Sequence, residues 1–124
     1  MKGLFLSPFF FLACSAADAS PRIEITDPPY DSLSDDGTSW QSSPWYDQTA
    51  PAAWIEYPAE ASVVIHHTLG RIPHEVAPYI SFEQNGQSAG IAAGDLAHIV
   101  SVTATTVELK NTTRSDYFLR VVLH

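Results

Sequence analysis

The sequence contains one cysteine, Cys14, so no disulfide can form within the chain. Burial alone must hold the fold. A domain of this size hides only about 60–65% of the surface its unfolded chain exposes, so large aromatic side chains carry much of the core. Basic residues are scarce too: Lys+Arg number 6 against 14 Asp+Glu, a formal net charge of −8. That balance lacks the electrostatic footprint of a nucleic-acid binder. It also opposes adhesion to anionic lipid headgroups, leaving covalent or inserted attachment as the route to a membrane. No apolar run reaches the roughly 20 residues needed to cross a bilayer. There is no pattern for a helix longer than one turn and no internal repeat. Hydrophobic residues nonetheless make up 45% of the chain, which is enough for a core and excludes a disordered polymer.

Residues 1–19 read as an export signal. Lys2 gives a minimal positive start, and Leu4 to Ala13 is an apolar run of signal-peptide length. Two cleavage readings stand. Phe11-Leu12-Ala13-Cys14 resembles the bacterial lipobox, with Phe11 where leucine is usual. That resemblance implies lipidation of Cys14 and a membrane-anchored lipoprotein. Alternatively, Ala17-Asp18-Ala19 is an A-x-A site and the protein is secreted from Ser20 onward.

Residues 20–50 are rich in Pro, Ser and Asp. From Asp18 to Glu60 nine acids (Asp18, Glu24, Asp27, Asp31, Asp35, Asp36, Asp47, Glu56, Glu60) face one base, Arg22. The composition predicts a flexible acidic linker. Asp31, Asp35 and Asp36 lack the spacing of a calcium loop. Trp40, Trp45, Tyr46, Trp54 and Tyr57 then change the character of the chain. Two readings fit them: a cover packed over one end or edge of the fold, or an aromatic platform for a flat ligand, with Trp40, Trp45, Tyr46 and Trp54 as its binding residues.

Residues 51–124 carry a clear β pattern. Ser62 to Pro73 reads SVVIHHTLGRIP, in which Val63, Ile65 and His67 alternate with Val64, His66 and Thr68. Gly70 and Pro73 mark a corner, with His67 pointing inward to hold it through loop backbone. Strands are expected at 62–68, 75–83, 88–92, 98–103, 106–110 and 117–123, with a loose edge strand at 54–57. Asn85-Gly86 is a hairpin-turn signal. Short strands and frequent turns predict a small antiparallel β-sandwich, all-β in class.

The sequence offers little chemistry. His66 and His67 point to opposite faces, and no zinc spacing joins them to His98 and Asp95, so no metal or cofactor is expected. Asp95 and His98 have no nucleophile placed beside them by any motif. Glu75, Glu83 and Glu108 read as solvent-side residues rather than a glycosidase pair. Asn111-Thr112-Thr113 matches the N-glycosylation pattern but reads more simply as the polar end of a strand.

The stretch V-x-I-H-H-T-L-G-R-I-P, with Val76, Tyr79, Ser81 and Phe82 after it, resembles a β-domain opening of exported bacterial lipoproteins and phage tail-fibre modules. His67, Leu69, Gly70 and Pro73 carry the H-x-L-G-x-x-P part. The ending from Val107 to Leu123 is similar too. The resemblance implies a β-sandwich for binding or attachment and no catalytic residues. The resulting expectation is a non-catalytic, envelope-anchored or secreted binding or adhesion domain for a cell-surface, carbohydrate or protein ligand. It would touch a membrane only through an N-terminal lipid. A small secreted hydrolase or metal enzyme and a virion attachment module are the alternatives.

Overall fold

Strand β5 (Ser62–His66) shows how the sequence pattern becomes a core. Val63 and Ile65 are buried, and Leu109 and Val107 of β9 (Thr106–Lys110) stand opposite them in antiparallel register. β1 (Arg22–Ile25) pairs with the other edge of β5, and β8 (His98–Val102) completes a four-stranded sheet on β9. These residues belong to a computed structural model that describes positions 20–124. Cys14 and both cleavage readings lie outside the described residues.

The second sheet has six strands and is built on β10 (Tyr117–Leu123). One edge of β10 pairs with β6 (Val76–Ser81), which in turn holds β7 (Gly90–Ile91). Its other edge pairs with β4 (Ile55–Tyr57) near its start and with β3 (Trp40–Gln41) near its end. β2 (Ser32–Leu33) lies outside β3. Leu119, Val121 and Leu123 face the core with no exposed surface, joined by Trp40, Ile55 and Tyr57. The two inner faces thus share one hydrophobic cluster, and the protein is an all-β sandwich.

The N-terminal boundary differs from the sequence expectation. Residues 20–50 carry three strands, so the sheets do not begin at residue 51 and this segment is not a free linker. Two features of the segment contribute to it. Ile23 and Ile25 alternate with Arg22 and Glu24, and both isoleucines pack on the core. The Ser and Asp residues build turns: Ser34 and Thr38 donate to the Asp36 carboxylate, and the amide of Ser34 bonds Ser39 O at 2.8 Å. Those donors hold the Asp36 carboxyl down at about 2. The antiparallel expectation is also incomplete, because β1 runs parallel to β5.

The β6–β7 connection departs from a tight Asn-Gly hairpin. The Gly86 amide bonds Glu83 O at 2.9 Å, closing a turn one residue earlier, and β7 keeps only two residues of the expected 88–92. Pro78 supplies a reason. Its carbonyl accepts from Ala92 N–H at 3.0 Å, so its missing donor faces the β7 side and not β10. A proline is therefore tolerated inside β6, and the partner on that side is short. The expected strand at 62–68 likewise ends at His66, where the chain leaves one sheet for the other. Trp54 precedes β4 and is not part of it.

Candidate binding surface: a buried arginine beneath a tryptophan

Along β10, residues 117, 119, 121 and 123 point inward, which sends Arg120 to the outer face of the six-stranded sheet. Arg120 has no exposed surface there. The chain covers it by continuing β3 past Gln41: Ser42 bonds Val121 through its amide at 3.0 Å and its hydroxyl accepts the Val121 N–H at 2.9 Å. This fixes the path through Ser43 and Pro44 to Trp45. Arg120 Nε donates to Ser43 O at 2.7 Å, and Nη2 donates to Gln41 Oε1. The Trp45 ring lies over the guanidinium, 3.8 Å from Cζ to the ring centre.

No carboxylate pairs with this buried cation among the described residues. Burial lowers the Arg120 pKa to about 10, a shift opposed by Tyr79, so the group stays cationic at neutral pH. Its stabilisation comes from backbone and amide oxygens and from the ring face, an arrangement that suits a planar, weakly hydrated guanidinium. Nη1 and the neighbouring Ser43 hydroxyl have no hydrogen-bond partner among the described residues.

Trp45 is held on further sides. Tyr79, the register partner of Arg120, meets it edge-on with centroids 4.7 Å apart, and Trp54 lies at 6.3 Å. Trp54 is fully buried: its Nε1 donates to Pro44 O at 3.1 Å, and its amide bonds Gln84 O at 3.0 Å. Trp45 is nevertheless 48% exposed and Tyr46 39%. Thus, of the four aromatic residues expected to bind, Trp45 and Tyr46 present surface. Trp40 and Trp54 do not. Trp40 belongs to the inter-sheet core and donates from Nε1 to Asp31 Oδ2 at 3.1 Å. Its place opposite Leu123 on β10 draws it inward.

The structural corner is a separate region. His67 is buried; its Nδ1 accepts the Leu69 N–H at 3.2 Å, which makes Nε2 the donor to Thr103 O at 3.1 Å. Desolvation, more than the nearby His66, pulls its pKa below the usual imidazole value, against the opposing Thr103 hydrogen bond. Gly70 follows at φ +84°, and Pro73 is buried. His66 points outward to Glu24 at 3.3 Å. Among the described residues, no three His, Cys, Asp or Glu side chains converge as metal ligands.

Sequence reasoning did not single out Arg120 as a functional residue. The available signal was its place in Tyr117–Leu123, where a charged residue interrupts six otherwise apolar or aromatic ones. No protein-family model, curated protein or solved structure matches the chain.

Proposed function

We propose that this protein is a non-catalytic binding domain that engages a flat, partly apolar ligand, such as a sugar ring, on Trp45 and Tyr46. One observation carries the reading: Trp45 is half in solvent yet held on a buried arginine, a tyrosine and a second tryptophan. An exposed indole normally loses side-chain freedom when a ligand docks. Here much of that cost is already met in folding, so the surface is preorganised. Tryptophan also combines a large apolar face with a polar N–H, which suits a ligand having both characters.

The address belongs to the same proposal. The lipobox-like stretch ending at Cys14 makes the protein an exported, envelope-anchored lipoprotein, with secretion after Ala19 as the alternative. In that setting the domain would serve adhesion or attachment at the cell surface.

Tryptophan fluorescence gives a direct test. Trp40 and Trp54 are each 1% exposed, so acrylamide should quench Trp45 selectively. Screening the full chain against a glycan array and repeating hits with Trp45→Ala tests the ligand class. Supporting glycans should shield Trp45 from quenching and lose binding in the variant. Retained glycan binding by Trp45→Ala would overturn the platform. For the address, Cys14→Ser should release the protein from membranes or leave it unprocessed. Fully soluble wild-type protein after export would overturn the lipoprotein reading.

A further inference from the structure

A cleft of about 360 Å³ lies away from Trp45, where the start of β10 meets β4 and the end of β6. Glu56, Tyr57, Pro58, Phe82, Asp116, Tyr117 and Phe118 line it. Apart from proline, every lining residue is aromatic or acidic; Tyr57 has no exposed surface and forms the floor, so Phe82, Tyr117 and Phe118 supply the accessible rings. Phe82 is 73% exposed, an unfavourable position for so large an apolar ring without a partner. It lies against Tyr117 with centroids 5.2 Å apart and planes tilted by 46°, an open V of two rings. Pairing of Phe118 with Ser81 places Phe82 at the end of β6 beside Tyr117, so the strand ladder itself sets this V.

The acids complete the pattern. The Glu56 carboxylate makes no hydrogen bond or ion pair among the described residues, and no Lys, Arg or His lines the cleft. Asp116 uses Oδ1 to accept the Ala59 N–H at 2.8 Å, which anchors it beside the cleft and leaves Oδ2 without such a bond. Both carboxylates are exposed, whereas Tyr117 and Phe118 are half-buried. Aromatic faces attract cations through their quadrupoles, and carboxylates add a longer-range attraction. An anionic ligand would be repelled by both acids. A neutral apolar ligand would leave them unused.

The geometry points to this cleft as a binding site for a quaternary ammonium group. A quaternary nitrogen is weakly hydrated and surrounded by methyl groups, so it can contact ring faces without surrendering hydrogen bonds to water. A primary ammonium would require several close acceptors, while the carboxylates here stand on an open rim. The site is distinct from the indole platform, since no lining residue contributes to the Trp45 cluster.

The test uses the full-length chain and choline chloride, followed by chemical-shift perturbation of backbone amides. Choline should shift residues 56–58, 82 and 116–118. The neutral isostere 3,3-dimethylbutan-1-ol should bind about tenfold more weakly if the positive charge matters. Nα-acetyl-lysine methylamide should also bind more weakly than choline. Phe82→Ala should weaken choline binding by several-fold at unchanged melting temperature, because the ring is largely outside the core. Glu56→Gln should weaken it and reduce its salt dependence. Equal binding of the alcohol would reduce the site to an apolar crevice and overturn the proposal. Stronger binding of the lysine derivative would overturn the quaternary assignment. Undiminished binding by Phe82→Ala, or no choline shifts at these residues, would overturn the site.

Discussion

Arg120 lies directly beneath Trp45, its guanidinium carbon 3.8 Å from the ring centre, on the outside of a sheet whose inside is the hydrophobic core. The pair joins two parts of the chain far apart in sequence. It turns the segment after β3 into a cover over β10, and it decides where the exposed indole sits.

Arg120→Ala should therefore have two measurable effects. A desolvated cation–π contact contributes about 2 kcal/mol, and each hydrogen bond from a charged donor adds about 1.5–3 kcal/mol when its partner is left unpaired. We expect a loss of about 3 kcal/mol in urea melts, since Ser43 O and Gln41 can recover part of their bonding from water. Trp45 should also become more accessible to acrylamide. Arg120→Lys should restore charge but not stability, because an ammonium cannot stack on the ring and fork toward both oxygens. Full stability of the lysine variant would mean that charge alone matters here.

The His67 pair of hydrogen bonds leads to a pH prediction. The buried ring is neutral in the fold, with its pKa pushed below the ordinary 6.5, so the unfolded chain binds the additional proton as pH falls. Stability from this residue is fully present above about pH 6.5 and declines as pH drops through that value toward the folded pKa. The Asp36 carboxyl, held at about 2, loses its contribution only at lower pH, below the unfolded carboxylate range. His67→Ala should cost roughly 1–3 kcal/mol at pH 7.5, where Leu69 N–H and Thr103 O lose their partner. The variant should also show a flatter stability profile between pH 7 and 5. An unchanged slope would assign the acid sensitivity elsewhere.

Asn111 makes a third case. It has no exposed surface, and its Nδ2 reaches Tyr57 O, Pro58 O and Ser115 O at 3.2, 3.1 and 2.8 Å. Its Oδ1 accepts the amide and hydroxyl of Thr113. The side chain thus ties the end of β4 to the loop before β10, and its amide nitrogen is unavailable to a glycosyltransferase in the folded state. Asn111→Ala should destabilise by about 3 kcal/mol, as several buried carbonyls lose a donor. Asn111→Asp should be nearly as damaging, because a carboxylate would face three carbonyl oxygens. Thr113→Ala, which removes the sequon, should cost much less. Thermal melts of the three variants order these effects.

Period-two alternation in β9, and β-branched or apolar runs bounded by turn signals in β5 and β10, made the sandwich legible, because each strand lays one face against the other sheet. Residues 22–41 give that signal little length to act on, even where Ile23 and Ile25 alternate with Arg22 and Glu24. There the strands are two to four residues long, and only pairing with distant partners makes them strands. Ile23 and Ile25 needed β5 beside them; Trp40 needed Leu123. Aromatic clustering was a sound signal for a structured segment, but it does not separate Trp54, enclosed by Gly86 and Pro44, from Trp45 nine residues earlier, which stays half exposed. Arg120 was hidden for the same reason. A charge on the outer side of a strand normally meets water, and what buries it is a cover contributed by residues 42–45.

The two glycines at φ +84° and +87°, Gly70 and Gly86, separate backbone strain from packing. At Gly70 an added Cβ meets nothing within 4 Å, so Gly70→Ala should cost only the left-handed penalty, about 1 kcal/mol. Gly70→Val should cost more, since a β-branched residue tolerates positive φ poorly. Gly70→Asn should recover much of the loss. Gly86 has the same backbone requirement, but an added Cβ would collide with Cε2 of Trp54. That indole is itself fixed by Pro44 O and packed against Trp45, so it cannot retreat without moving the platform. Gly86→Ala should therefore cost at least about 1–3 kcal/mol more than Gly70→Ala, the range for overpacking. It should also change Trp45 quenching, which Gly70→Ala should not. Equal destabilisation with unaltered fluorescence would show that the loop at residues 82–89 can lift off Trp54 and that the two tryptophans are not mechanically linked.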